Sequence, residues 1–365
     1  MTPVRRWCLV ALAGALLVAA PVALRQLPVG GTGVDAGTVL SRARASLDAS
    51  WSGSVETEGA LQLPDADGFG DVASLLGERT TLRAWWRDRE RWRVDRLAAT
   101  GETDVYRDGD VTREWDYESL ALTVSREPGI RLPRSGDVLP PVLAERLLRG
   151  VSEADTSRLP TLRIAGRTAV GLRVRPPSPL TSIDRVDLWA DEASGVPLLV
   201  RVYAAGATAP DFTSSFTSFS PDPPSGRTVG FRATAVTYVS YDDVLDIADA
   251  ANQYAHVRPP ATAAGMTLAD ASDGAVGVYG RGAAQVVAIP LRDREADALR
   301  EQMALTPGVA LDRERTVVAL GPLGILLTGE TGDGGWLLAG TLTLDALERA
   351  GADVVSGAVA VEDHR

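Results

Sequence analysis

The chain has 365 residues, enough for two folded units plus an appendage at about 100 to 200 residues per domain. Hydrophobic residues make up 45% and charged residues 23%, which supports real cores and excludes disorder over the whole length. The formal net charge of −11, from 37 basic and 48 acidic residues, repels phosphate backbones and argues against a nucleic-acid partner. The single cysteine, Cys8, lies in the first ten residues, so the rest of the chain has neither a disulfide nor a thiolate metal site.

Catalytic signatures are few. Of the two histidines, His364 is the penultimate residue, and His256 stands where a helix is expected to run into Pro259-Pro260. We read it as a helix-end or solvent histidine. Gly31-Thr-Gly33 and Gly280-Arg-Gly282 look like dinucleotide fingerprints, but neither opens a helix after a buried strand, as that chemistry requires. Asp65-Ala-Asp67-Gly68 reads as a turn, because no glutamate closes it into a calcium loop. The expectation is a binding protein and not an enzyme, with no catalytic residue, cofactor or metal site.

Residues 1–30 form a leader. Arg5 and Arg6 precede an apolar run carrying Trp7, Leu9, Leu12, Leu16, Leu17 and Leu24, and Arg25 ends it. About 18 residues make about 27 Å of helix, the lower limit of a membrane span. Cleavage as a signal peptide and retention as a membrane anchor both fit. Pro21 disfavours cuts after Ala20 and Ala23, which inclines the reading to an anchor. Either fate puts the remainder outside the cytoplasm, anchored at the membrane or released into the cell envelope.

A Pro/Gly-rich tether, 31–37, leads to helical spacing over 36–50 with Val39, Ala43 and Leu47 on one face. Strands at 82–87 and 92–97 flank a turn, as do 103–107 and 111–115, and 120–125 continues the meander. Pro140-Pro141 opens an amphipathic helix ending at Gly150. Strands resume at 162–164, 169–174, 186–190 and 198–203. Residues 204–227 read as a long mobile loop with one edge strand around 212–219. A strand at 231–238 and a helix at 242–255 close the unit. After Pro259-Pro260 comes a smaller α+β unit, with strands at 276–279, 285–289, 316–320, 324–328 and 336–340 and helices at 293–304 and 344–350. The domain limits are therefore 38–257 and 258–365. The cluster of Arg91, Arg93 and Arg96 beside Asp88, Glu90 and Asp95 reads as a solvated charge lattice.

An ordered set of pieces then stands out: Trp85-Trp86, Arg91-Trp92-Arg93-Val94-Asp95, Asp108-Gly109, Trp115-Asp-Tyr117, Ala165-Gly166-Arg167-Thr-Ala169-Val-Gly-Leu172, and Leu188-Trp189-Ala-Asp191 with Ser194-Gly195-Val-Pro197-Leu198. Their order over roughly 120 residues resembles the LolA-like superfamily of extracytoplasmic lipoprotein carriers, including its RseB-like (MucB-like) sigma-factor regulators. The sequence departs from that pattern at 88–90, where the family usually has a proline. Carriers lack a second unit like 258–365, so the layout favours the regulators. The resemblance implies an α+β fold: a strongly curved antiparallel sheet, or half-open β-barrel, capped by helices, with a second smaller α+β domain. It further implies an apolar cavity for an acyl lipid or lipoprotein. It also implies a C-terminal domain that contacts an anti-sigma factor or another membrane protein. Alternation offers Leu82, Ala84 and Trp86, Trp92 and Val94, Leu120, Leu122 and Val124, and Leu188 as cavity-wall candidates. Three functions stay open: a membrane-tethered, lipid- or lipoprotein-sensing regulator, a lipid carrier of the envelope, and a structural or protein-binding module without lipid.

Overall fold

The computed structural model describes residues 33–61, 70–99, 101–126, 129–232, 238–240, 247–270 and 272–361. The leader with its anchor candidates Trp7, Leu9, Leu12, Leu16, Leu17 and Leu24, the first two residues of the tether and the turn at 65–68 lie outside them. Among the described residues no helix is long and apolar enough to cross a membrane.

Helix α1, Ala36–Arg44, starts at Asp35, whose carboxylate accepts from the Thr38 amide at 2.8 Å, and a 3₁₀ turn, Ala45–Asp48, continues it. There follow β1, Trp51–Gly59, and a short helix α2, Gly70–Gly77. The meander consists of β2, Arg79–Asp88; β3, Arg91–Ala98; β4, Gly101–Asp108; β5, Val111–Asp116; and β6, Ala121–Arg126. Helix α3, Pro140–Leu147, begins on its two prolines, where the absent amide hydrogens cost nothing. Four further strands are β7, Thr156–Ile164; β8, Arg167–Val174; β9, Ile183–Asp191; and β10, Pro197–Ala204.

The stretch expected to be a mobile loop holds β11, Phe212–Ser220, and a single helical turn α4, Gly226–Val229. β11 is no edge strand. It pairs with β1 on one side and β10 on the other, joining the two halves of the sheet. Its Phe-Thr-Ser-Ser-Phe alternation carries Phe212 and Phe216 into the core, and the buried Ser214 hydroxyl donates to the Val138 carbonyl at 2.6 Å. A polar composition hid a central strand whose small hydroxyls bond partners far along the chain, Ser214 to Val138 and Thr217 to Ser54.

Of the strand expected at 231–238, the described residues 231–232 lie in no strand and Tyr238 opens β12, Tyr238–Ser240, which pairs in parallel with β6. Residues 233–237 lie outside the described set. The complete sheet runs β12-β6-β5-β4-β3-β2-β1-β11-β10-β9-β8-β7, eleven antiparallel strands plus one parallel edge, strongly curved and open. One face is covered by α1, the 3₁₀ turn and α3, whose Val39, Leu40, Ala43, Leu47, Ala144, Leu147 and Leu148 form a single core with the sheet.

Beyond the short helix α5, Ile247–Asn252, and three two-residue strands, β13, Val257–Arg258, β14, Thr262–Ala263, and β15, Met266–Thr267, stands a second sheet. It contains β16, Gly277–Arg281; β17, Ala284–Leu291; β18, Ala310–Leu311; β19, Arg315–Leu320; β20, Leu323–Thr328; and β21, Gly335–Gly340, in the order β16-β17-β21-β20-β19-β18. Helix α6, Asp293–Ala304, packs Ala296 and Met303 on Val318, Leu320 and Leu327. Helix α7, Leu344–Gly357, packs Ala346, Leu347, Ala350 and Val354 on Val286, Leu326 and Leu338, and the short β22, Val359–Ala360, follows it. Gly280 and Gly282 have φ of 77° and 62° in the β16–β17 hairpin, so this glycine pair makes a turn and not a dinucleotide loop.

Candidate functional site

The β2–β3 and β3–β4 registers set Leu82, Ala84, Trp86, Trp92 and Val94 on the helix-covered face. Trp86 lies between Trp51 and Trp92 in a cross-strand stack, with ring centroids 5.4 and 5.6 Å apart and planes within 4° of parallel. The Trp86 indole donates to the Leu47 carbonyl at 3.0 Å, fixing the 3₁₀ turn onto the sheet. Leu188 joins the same core from β9. Leu82, Ala84, Trp86, Val94 and Leu188 are all at most 5% exposed, so this interior is occupied by the side chains of α1 and α3.

Leu122 and Val124 lie on the other face. From Ala84 through Val94, Val105 and Glu114 to Thr123, each directly paired residue shares the inner face, which turns Leu122 and Val124 outward. There they cluster with Tyr106, Trp115 and Phe231. Leu120 stands outside the strand, at φ 52° in the β5–β6 turn and 37% exposed. Strand by strand, alternation grouped Leu82, Ala84 and Trp86, Trp92 and Val94, and Leu122 and Val124, but it wrongly added Leu120 to the last group, and joining the groups into one wall required the register between strands.

The outer face also overturns the reading of a solvated charge lattice at Arg93 and Asp95, while Glu90 and Arg91 stay exposed. Asp95 and Asp104 are directly opposed on β3 and β4 and are fully buried. Arg93 donates to both oxygens of Asp95, at 3.0 Å to Oδ2, and at 2.7 Å to Oδ2 of Asp104. Its guanidinium lies 5.0 Å from the Trp85 ring centroid and 4.9 Å from that of Tyr106. The Tyr106 hydroxyl donates to Asp104 Oδ2 at 3.0 Å, and Arg83 bridges Asp95 and Glu102. Burial, followed by the charge of Asp95, pushes the Asp104 carboxyl from 3.8 up to about 7, against the pull of Arg93. Arg91 stays exposed, 3.7 Å from Asp88. Nothing in a single strand shows that Asp95 faces a second aspartate across the ladder.

The two sheets are tied together by 178–182, which precedes β9. The Ser182 amide donates to the Thr341 carbonyl at 3.1 Å, and the Thr343 amide donates to the Leu180 carbonyl at 2.8 Å. The Thr181 hydroxyl contacts the carbonyls of Ala283 and Thr341, and that of Ser182 donates to the carbonyl of Pro322. Beside this seam lies a cleft of about 310 Å³ between α3 and the β16–β17 hairpin. Leu147, Val151, Pro176 and Met266 give it an apolar floor, and Arg149 and Arg281 line it as well. His256 is exposed, and its carbonyl accepts from the Val361 amide at 2.9 Å.

A helix-capped half-open barrel with an appended sheet defines the class: a two-sheet α+β protein built on a strongly curved, open antiparallel sheet. No protein-family model and no curated protein matches the chain. Among solved structures, the chain is similar to the MucA/MucB complex of Pseudomonas aeruginosa, at 19% identity over 90% of this chain and 100% of that one, with a TM-score of 0.51. It is also similar to MucB bound to MucA(peri), at 19% identity over the same shares with a TM-score of 0.49. A LolA-superfamily protein from Nitrosomonas europaea follows at 12% identity, over 55% of this chain and 99% of that one, with a TM-score of 0.25. Within the class, the chain therefore has the MucB-like fold across both sheets.

Proposed function

We propose that the chain is an extracytoplasmic, non-catalytic regulatory protein. It acts by holding the external segment of a membrane partner of the anti-sigma-factor type, with 38–257 and 258–365 as its two working domains. The observation that carries this reading is the two-sheet layout, matched over 90% of this chain to a protein solved in complex with MucA. The seam at 178–182 joins the two sheets by backbone and hydroxyl hydrogen bonds. The cleft beside it offers an apolar floor with two guanidinium groups, chemistry suited to a peptide with apolar and acidic side chains. Tethering through the leader would keep the domains within reach of such a partner.

The lipid reading is second. In this conformation α1 and α3 fill the space an acyl chain would need, so lipid uptake requires those helices to leave the Trp51-Trp86-Trp92 wall. Photo-crosslinking from the Met266 position in the native envelope, with mass spectrometry of the adduct, separates the two. An adduct with the external segment of a single-span membrane protein is the expected result. Stoichiometric acyl lipid in a solvent extract, with no protein adduct, would replace the regulator by a carrier.

A further inference from the structure

The Asp95–Asp104 pair is unlike the other arginine–aspartate contacts of the sheet. Arg167–Asp191 and Arg173–Asp187 are each one cation on one carboxylate, with the guanidinium about one-third exposed. At the β3–β4 pair two fully buried carboxyls face each other and share Arg93, an arrangement that is repulsive when both are ionised. Asp104 Oδ1 is buried with no hydrogen-bond donor among the described residues. The charged groups facing the pair are Arg83 from β2, Arg93 from β3, Glu102 from β4 and Arg113 from β5; Tyr106 of β4 and Tyr117, just past β5, are the phenols nearby. Of the three guanidinium groups on this face only Arg83 and Arg93 are ion-paired to the three carboxylates, and a single proton shared by the two aspartates relieves their mutual repulsion. Placed on Oδ1, that proton also turns an orphaned acceptor into a donor beside Asp95. With two guanidinium groups already on these oxygens, a proton fits where a metal ion would meet repulsion.

Next to the pair the outer face is closed by rings. Phe231 meets Tyr106 edge-on at 5.3 Å and Trp115 at 5.9 Å, and Trp115 is paired directly with Asp104 across the ladder. Seven residues beyond Phe231 the chain forms β12, the parallel edge strand on β6. We infer that the Asp95–Asp104 pair is a proton switch of the outer face. A shared proton keeps the cover of Tyr106, Trp115 and Phe231 closed and β12 seated, and its release puts an uncompensated charge beneath the rings and loosens both. The folded chain holds a proton that the unfolded chain gives up near 3.8, so the stabilisation is full below that value and fades as pH rises through about 7.

The test uses the whole chain and follows the aspartate side-chain carboxyl carbons by NMR, with Asp104→Asn for assignment. The expected result is a carboxyl titrating near neutrality. Between pH 5 and 7 the wild-type unfolding constant should rise by up to about tenfold per pH unit relative to Asp104→Asn. Exchange protection of the 121–126 amides should fall between pH 6 and 8 in the wild type and stay level in the variant. If Asp104→Asn does not fold, Asp95→Asn serves for assignment, and the wild-type titration carries the test. Titration of both carboxyls below pH 5, or an equal pH response in wild type and variant, would overturn the switch. So would a rise in melting temperature on adding calcium chloride alone that Asp104→Asn abolishes, because the cluster would then take a cation.

Discussion

The two faces of β2, β3 and β4 solve opposite problems with neighbouring residues. On the inner face, Trp86 and Val94 bury area against α1 and α3, and each side chain adds its own share of transfer free energy. On the outer face, Arg93, Asp95 and Asp104 bury charge, so each is tolerable only while its partners are in place. Adjacent residues such as Arg93 and Val94 therefore contribute by different physics. The inner face should lose stability in proportion to the volume removed, whereas the outer face should fail when one partner of a set is missing.

Trp86→Ala should show the largest effect, about 4 kcal/mol by equilibrium denaturation, because it opens the middle of the tryptophan stack and strands the Leu47 carbonyl. A loss under about 1 kcal/mol would mean that the helices do not pack on this wall. Arg93→Ala should cost about 3 kcal/mol and leave two buried carboxyls without their shared cation. If Asp95→Asn in the same chain restores much of that loss, the outer face behaves as one network; simple additivity would dissolve the contrast with the inner face. Arg173→Gln, which removes a bidentate pair to Asp187 with a partly exposed guanidinium, should cost about 1 kcal/mol. At the far end, Arg79→Gln should change stability by less than about 0.5 kcal/mol, because both it and Glu58 are about two-thirds exposed.

The legible parts of the fold are those built from neighbours in sequence. The β2–β3 and β4–β5 hairpins, the Pro140-Pro141 helix start and the alternation of the second sheet follow from turn chemistry and period. The site was legible only in fragments. Leu82, Ala84 and Trp86 read correctly as one face, but Leu122 and Val124 lie on the opposite side, and the central β11 read as a mobile loop with a mere edge strand.

Composition and local pattern alone pointed to two α+β units, because that property depends on residue type and on spacing within a few residues. Only the tertiary structure placed β11 between β1 and β10, set Asp95 against Asp104 and filled the inner face with α1 and α3. The reason is the two-residue period of a strand: a pairing offset by one residue exchanges the faces, and that offset is fixed by partners far apart in the chain.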